Sequence, residues 1–191
     1  MITLQHLSKS YGEKRVLCDV NLTIPDKGIF CLMAPSGAGK TTLLRLLMGL
    51  ETPDSGEIVF SPPAPRIAAV FQEDRLCPGM NAVSNIRLVN PALTRAEVLS
   101  VMQAVGLFDC ADQPARELSG GMARRVAILR ALLAPWDLLI LDEPFKGLDE
   151  KTKRLVLAFT AKHIAQKNAL LVTHDSDEAK VLGARILDLN F

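Results

Sequence analysis

The sequence predicts an α/β fold built on a mostly parallel central sheet, and three observations carry that prediction. Short apolar runs of strand length alternate with stretches of helical periodicity along the chain. Two of those runs, Gly28 to Met33 and Leu138 to Leu141, are apolar throughout, as in strands covered on both faces. The composition is that of an ordinary globular protein, with 191 residues, 49% of them apolar and 23% charged. A chain of this length buries roughly 70% of the surface it exposes when unfolded, enough to form a core without a metal or disulfide staple.

Ile2 to Leu7 and Val16 to Ile24 read as antiparallel strands that close near Tyr11 and Gly12. The strand from Gly28 to Met33 runs into a glycine-rich loop and then a leucine-rich helix over Leu43 to Met48. Glu57 to Phe60 and Ile67 to Phe71 form two further strands, separated by the short proline stretch of residues 61–65. Val98, Val101, Met102 and Val105 obey helical spacing between Thr94 and Val105, with Thr94 and Glu97 as a capping box and Gly106 as the stop. A second helix starts after Ser119 and ends near Ala134, before Pro135. The strand at Leu138 to Leu141, a helix over Thr152 to Gln166, a strand over Ala169 to Thr173, a helix over Ser176 to Leu182 and a strand over Arg185 to Leu189 complete the series.

Charge singles out no partner. Twenty-two Lys and Arg stand against 21 Asp and Glu, a formal charge of +1, so no basic excess points to nucleic acid. Arg124, Arg125 and Arg130 are expected on a solvated or interdomain face. Cys18, Cys31, Cys77 and Cys110 lie far apart without a CxxC pair and read as reduced thiols in a cytosolic protein. Neither a signal peptide nor an apolar run of roughly 20 residues is present, so the chain itself is not expected to cross a bilayer. His6 and His163 read as structural.

The chemistry concentrates in two places. Ala34, Pro35, Ser36, Gly37, Ala38, Gly39, Lys40, Thr41 and Thr42 connect a buried strand to a helix, the setting a phosphate-cradling loop requires. Glycines let successive N–H groups turn toward phosphate oxygens, the helix N-terminus adds its dipole, Lys40 neutralises β and γ charge, and Thr41 can ligate Mg²⁺. Ala34 stands where glycine is usual, a change that negative φ would tolerate. The second place is the carboxyl end of the Leu138 to Leu141 strand, where Asp142 can hold Mg²⁺ through water and Glu143 can orient the attacking water. Separately, Ser119, Gly120 and Gly121 open a helix whose N–H groups and dipole favour an anion.

Leu118-Ser119-Gly120-Gly121-Met122, with Ser119 lying 23 residues before Asp142, resembles the signature sequence of ATP-binding cassette (ABC) ATPases. The resemblance extends in order through Tyr11, the Walker A loop at 34–42, Gln72 within Val70 to Asp74, the Walker B strand ending in Asp142 and Glu143, Leu148-Asp149, and His174 within Val172 to Asp175. It implies a P-loop NTPase fold with an N-terminal antiparallel β subdomain and a small helical subdomain. Residues 1–72 and 118–191 would make the core and 73–117 the helical part of a single domain over 1–191. It implies that Tyr11 stacks on adenine, that Gln72 touches Mg²⁺ and the attacking water, and that Glu143 is the general base. His174 would be the switch contacting the γ-phosphate, and Asp149 would lie at a subunit interface. The Ser119 segment would close over ATP bound to another copy, so that a head-to-tail homodimer, or paired cassette, forms two sites.

The segments Phe71 to Leu76, Leu118 to Met122, Asp142 to Phe145 and Thr173 to Asp175 are similar to those of nitrate, sulfonate and taurine importer ATPases. That likeness implies ATP and Mg²⁺ as cofactors and integral membrane permease subunits as partners. It further implies an external solute-binding protein met indirectly, no nucleic acid, and a place on the inner face of the cell membrane. Met122 replaces the usual Gln, Lys146-Gly147 replaces a small pair, and the interval from Lys40 to Gln72 is short. Two other readings stay open: a soluble cassette acting on DNA or ribosomes, and a nucleotide-binding scaffold without useful hydrolysis. Co-purifying partners separate the first, and phosphate release the second.

Overall fold

The computed structural model describes residues 1–35 and 37–187. Ser36, expected in the phosphate loop, lies outside the described residues, as does the expected end of the last strand at 188–189. The chain starts with a hairpin of β1 (Ile2–Tyr11) and β2 (Lys14–Ile24), closed at Gly12 and Glu13. With β4 (Ser55–Phe60), it forms an antiparallel sheet in the order β2-β1-β4. Gly56, at φ 81°, lets β4 come close to β1, since a Cβ there would stand 2.3 Å from the His6 carbonyl.

The second sheet is wholly parallel. Here β5 (Ile67–Val70), β6 (Leu138–Asp142), β7 (Asn168–Val172), β3 (Gly28–Leu32) and β8 (Arg185–Leu187) lie in that order. Each face of β6 is buried, and its side chains alternate between two cores. Leu138 and Ile140 point into the core shared with the antiparallel sheet and α1 (Lys40–Leu47), where Leu43, Leu44, Leu46 and Leu47 are buried. Leu139 and Leu141 point into the other core, against α4 (Gly120–Leu133) and α5 (Glu150–Ile164). The double coverage accounts for the unbroken apolar runs in the sequence.

Between β5 and α4 lie α2 (Ala82–Arg87), α3 (Arg95–Ala104) and a 3₁₀ turn over Ala115–Glu117. The Thr94–Glu97 capping box forms as expected. Helix α2 is an addition to the expected series: Asn81 caps it, and the buried Asn85 bonds the backbone of Cys77, Met80 and Asn81. The chain closes through α6 (Ser176–Val181) and β8. Among the described residues no helix is long and apolar enough to cross a membrane. All four cysteines are free, with Cys31 and Cys110 buried. Burial pushes the Cys31 thiol up to about 11, which keeps it inert. His163 stacks on Phe159 at 4.0 Å between ring centroids, and the exposed His6 pairs with Asp19 at 2.7 Å, both structural contacts.

Of the two alternatives expected for the three arginines of α4, a solvated or an interdomain face, the solvated one does not hold: they reach residues 71–74 and 105–106 beside the expected helical part. Arg124 is only 8% exposed, donates to the carbonyls of Phe71 (2.7 Å) and Gln72, and pairs with Asp74 at 3.1 Å. Arg125 donates to the carbonyls of Val105, Gly106 and Gly121, stitching the end of α3 to the start of α4. Arg130 reaches the Asp74 carbonyl at 3.1 Å. Long aliphatic stems carry these guanidinium groups across apolar surface to backbone oxygens that a helical wheel does not reveal.

Candidate nucleotide site

In a parallel sheet, functional side chains gather where the strands end, and β3, β6 and β7 are adjacent or separated by one strand. The loop after β3, the acids ending β6 and the histidine after β7 therefore meet around one cleft of about 490 Å³. It is lined by Tyr11, Lys14, Val16, Gly37, Gly39, Lys40, Thr41, Thr42, Gln72, Asp142, Glu143, Lys146, Val172 and His174.

Gly39 shows why the loop needs glycine. Its φ is 86°, and a Cβ would meet Leu17 at 2.8 Å and the Val16 carbonyl at 2.9 Å, so only glycine allows the loop to lie against β2. Gly37 also has positive φ, whereas Ala34 does not, consistent with alanine being tolerated there. Lys40 is 7% exposed and donates to the carbonyls of Ala34 and, at 2.9 Å, Pro35. Those bonds hold the ammonium inside the loop's curve, where an incoming phosphate would exchange for carbonyl oxygens. Ala38 donates its N–H to the Pro35 carbonyl at 3.3 Å and is absent from the cleft lining.

Thr41 Oγ1 lies 3.4 Å from Asp142 Oδ2. Burial raises the Asp142 pKa above the carboxylate's ordinary value, the charge of Glu143 adds to the rise, and Thr41, Lys40 and Arg124 oppose it. A hydroxyl beside a carboxylate that would gain from a cation is a hard-oxygen donor set suited to Mg²⁺ completed by phosphate and water. Among the described residues no three His, Cys, Asp or Glu cluster as a metal cage.

Glu143 takes a left-handed backbone, φ 47°, with its N–H bonded to the Val172 carbonyl at 2.9 Å. The sharp turn aims its carboxylate into the cleft, a strained conformation of the kind that clusters at functional positions. Its Oε1 lies 3.1 Å from His174 Nε2 and its Oε2 lies 3.5 Å from Lys146 Nζ. Tyr11 sits on the rim, 44% exposed, with its hydroxyl bonded to Glu51. Gln72 is exposed on the lining, its backbone fixed by Arg124.

Ser119, Gly120, Gly121 and Asp149 do not line this cleft. Ser119 caps α4 by accepting from the Met122 N–H at 3.3 Å, and Asp149 caps α5 by accepting from the Thr152 N–H at 3.0 Å. Within one copy, both act as helix caps. Sequence reasoning passed over Lys14, Val16 and Val172 as lining residues, and Lys146 stood out only as an unusual residue. The lysine across the two-residue turn from Tyr11 and the cation three residues past Glu143 were the available signals.

A phosphate loop, a carboxylate pair and a histidine around one cleft in a parallel sheet define a nucleoside triphosphatase. The sequence model of the ABC transporter family matches residues 17–146. An aliphatic sulfonates import ATP-binding protein of Nocardia farcinica is 43% identical, covering 99% of this chain and 78% of its own. Another of that name from Burkholderia lata is 39% identical, covering 99% and 72%. The dimeric structure of MJ0796, a bacterial ABC transporter cassette, superimposes with a TM-score of 0.80 at 29% identity, covering 95% of this chain and 91% of its own. The post-hydrolysis dimer of MJ0796 bound to ADP and Pi gives 0.81 at 29% identity over the same shares. The chain belongs to the ABC transporter family, whose ATP-binding import subunits hydrolyse ATP, and the cleft is its candidate nucleotide site.

Proposed function

We propose that this chain powers import of aliphatic sulfonates or related small anions, hydrolysing ATP to ADP and phosphate against permease subunits of the cell membrane. The relatives' names support import, and the single observation that carries the chemistry is Glu143 held 3.1 Å from His174 in the cleft that contains Lys40. Tyr11 receives the adenine, and the N–H groups of the loop from Ser36 to Thr42 with the Lys40 ammonium receive the phosphates. Thr41, Asp142 and Gln72 would hold Mg²⁺, which supplies charge neutralisation on the transferred phosphoryl group. Glu143 takes a proton from the attacking water as general base, and His174 fixes that carboxylate and senses the γ-phosphate.

The cleft is completed by Ser119, Gly120 and Gly121 of a second copy, whose helix N-terminus adds N–H donors to the γ-phosphate, with Asp149 at the same interface. ATP shared across this interface favours the closed head-to-tail homodimer, and loss of the γ-phosphate reopens it. Residues 1–72 and 118–191 act as the nucleotide-holding core, and residues 73–117 as the helical subdomain that moves against a permease. The solute-binding protein is met only through the permease, and the chain works in the cytoplasm on the membrane's inner face.

Glu143→Gln tests the assignment. Light scattering with ATP and Mg²⁺ should show the variant accumulating as a dimer, with steady-state phosphate release reduced by at least about 100-fold. Lys40→Ala should neither bind ATP nor dimerise. Full turnover by Glu143→Gln would remove Glu143 as the base.

A further inference from the structure

Outside the cleft, a charged cluster around the buried Glu178 has no part in the proposed reaction. Lys153, in the first turn of α5, places Nζ 2.5 Å from Asp175 Oδ2 and 2.7 Å from Glu178 Oε1. Glu178 is 5% exposed, and its other oxygen accepts from the Thr173 hydroxyl. Thr173 Oγ1 in turn accepts from the Asp175 N–H at 3.1 Å. Both neighbours of His174 are thereby fixed to one ammonium, while His174 itself is 48% exposed and has Glu143 as its charged contact. At its other end, Lys153 donates its backbone N–H to the Asp149 carbonyl at 2.7 Å. A crevice of about 260 Å³ runs between residues 143–150 and 173–178, with Lys153, Asp175 and Glu178 in its wall, and shares Glu143, Lys146 and His174 with the nucleotide cleft.

Resting on the switch role proposed for His174, we infer that Lys153 is a positioning residue that ties the Asp149 turn at the dimer face to the segment carrying His174. A displacement of the start of α5 drags Glu178 with it, because separating the ammonium from that buried carboxylate is costly, and the half-exposed Asp175 follows more weakly through its own contact with Lys153. The backbone of His174, held between Thr173 and Asp175, follows. Closure at the interface is thus passed to the histidine that faces the γ-phosphate, by a route that touches no nucleotide-binding residue.

The test uses the full chain with ATP and Mg²⁺. Lys153→Met alone strands the buried Glu178, so the informative variant is Lys153→Met with Glu178→Gln, in which the Gln carbonyl can still accept from Thr173. Its circular dichroism and urea midpoint should confirm folding. Its kcat should fall about tenfold, as misplacement by a fraction of an ångström predicts, with the KM for ATP unchanged within about twofold. Lys153→Arg, which keeps the charge, should recover kcat to within about threefold of the parent. Added to His174→Ala, the double substitution should cause no further loss. Parent-like kcat in the double variant beside a slow His174→Ala, or losses that multiply when the changes are combined, would overturn the link and spare the switch. Parent-like turnover in His174→Ala would overturn both.

Discussion

Arg124→Met removes three interactions at once. The guanidinium serves the Phe71 carbonyl at 2.7 Å, the Gln72 carbonyl, and Asp74 Oδ1 at 3.1 Å, from a position 8% exposed. A hydrogen bond from a charged donor contributes about 1.5–3 kcal/mol. Gln72 is exposed, so water can replace the donor there, whereas Phe71 is half-buried and Asp74 loses its paired cation. Arg130 remains near Asp74 and softens that loss. The net cost is therefore about 3–5 kcal/mol, the range for breaking a buried ion pair. Urea unfolding followed by fluorescence of the lone Trp136 reads it directly, with the slope unchanged. Arg124→Lys should recover less than half, because one ammonium cannot span two carbonyls and a carboxylate. The pH dependence has a definite sign. Burial raises the Asp74 pKa above the ordinary carboxylate value, with Arg124 opposing it, so removal of Arg124 raises it further. A folded-state pKa above the unfolded one destabilises at high pH, so the penalty should be smallest below the carboxylate range and grow as pH rises through it. A loss under about 1 kcal/mol, or one that shrinks with rising pH, would refute this account of the clamp.

Asp149→Ala should cost about 1 kcal/mol in urea unfolding through loss of the α5 cap, while Asp149→Asn, an equally good cap, should match the parent in stability. Any turnover defect in Asp149→Asn then reports the interface and not the helix. Hydrogen bonds from the Arg66 side chain and backbone hold the Asp137 carboxyl down at about 2, so this pair stabilises the fold above the ordinary carboxylate value and its contribution is lost as pH falls toward about 2. The thermal midpoints of the parent and Asp137→Asn should accordingly differ at neutral pH and converge on acidification; a constant gap would count against the pair.

Much of the site was legible because its groups are local. The phosphate loop needs consecutive residues between a strand and a helix, and Asp142 and Glu143 follow an apolar run that could only be a buried strand. Their convergence with His174, 31 residues further on, was accessible only through resemblance to a known motif order. Helix α2 escaped the reading because six residues are too few to express a period. The partners of the α4 arginines escaped it for another reason: a helix's own sequence leaves open whether its charges meet solvent or a neighbouring backbone.

The sequence by itself determined the α/β alternation, the two apolar strands, the helix starts at Thr94 and Ser119 and the residue types at the phosphate loop, since each depends on neighbours within a turn or a strand. Tertiary structure decided which charges are buried. Arg124 reaches carbonyls 52 and 53 residues away, and Lys153 reaches carboxylates 22 and 25 residues away. Whether a charged side chain meets water or a buried oxygen is set by chain segments that its own periodicity cannot register.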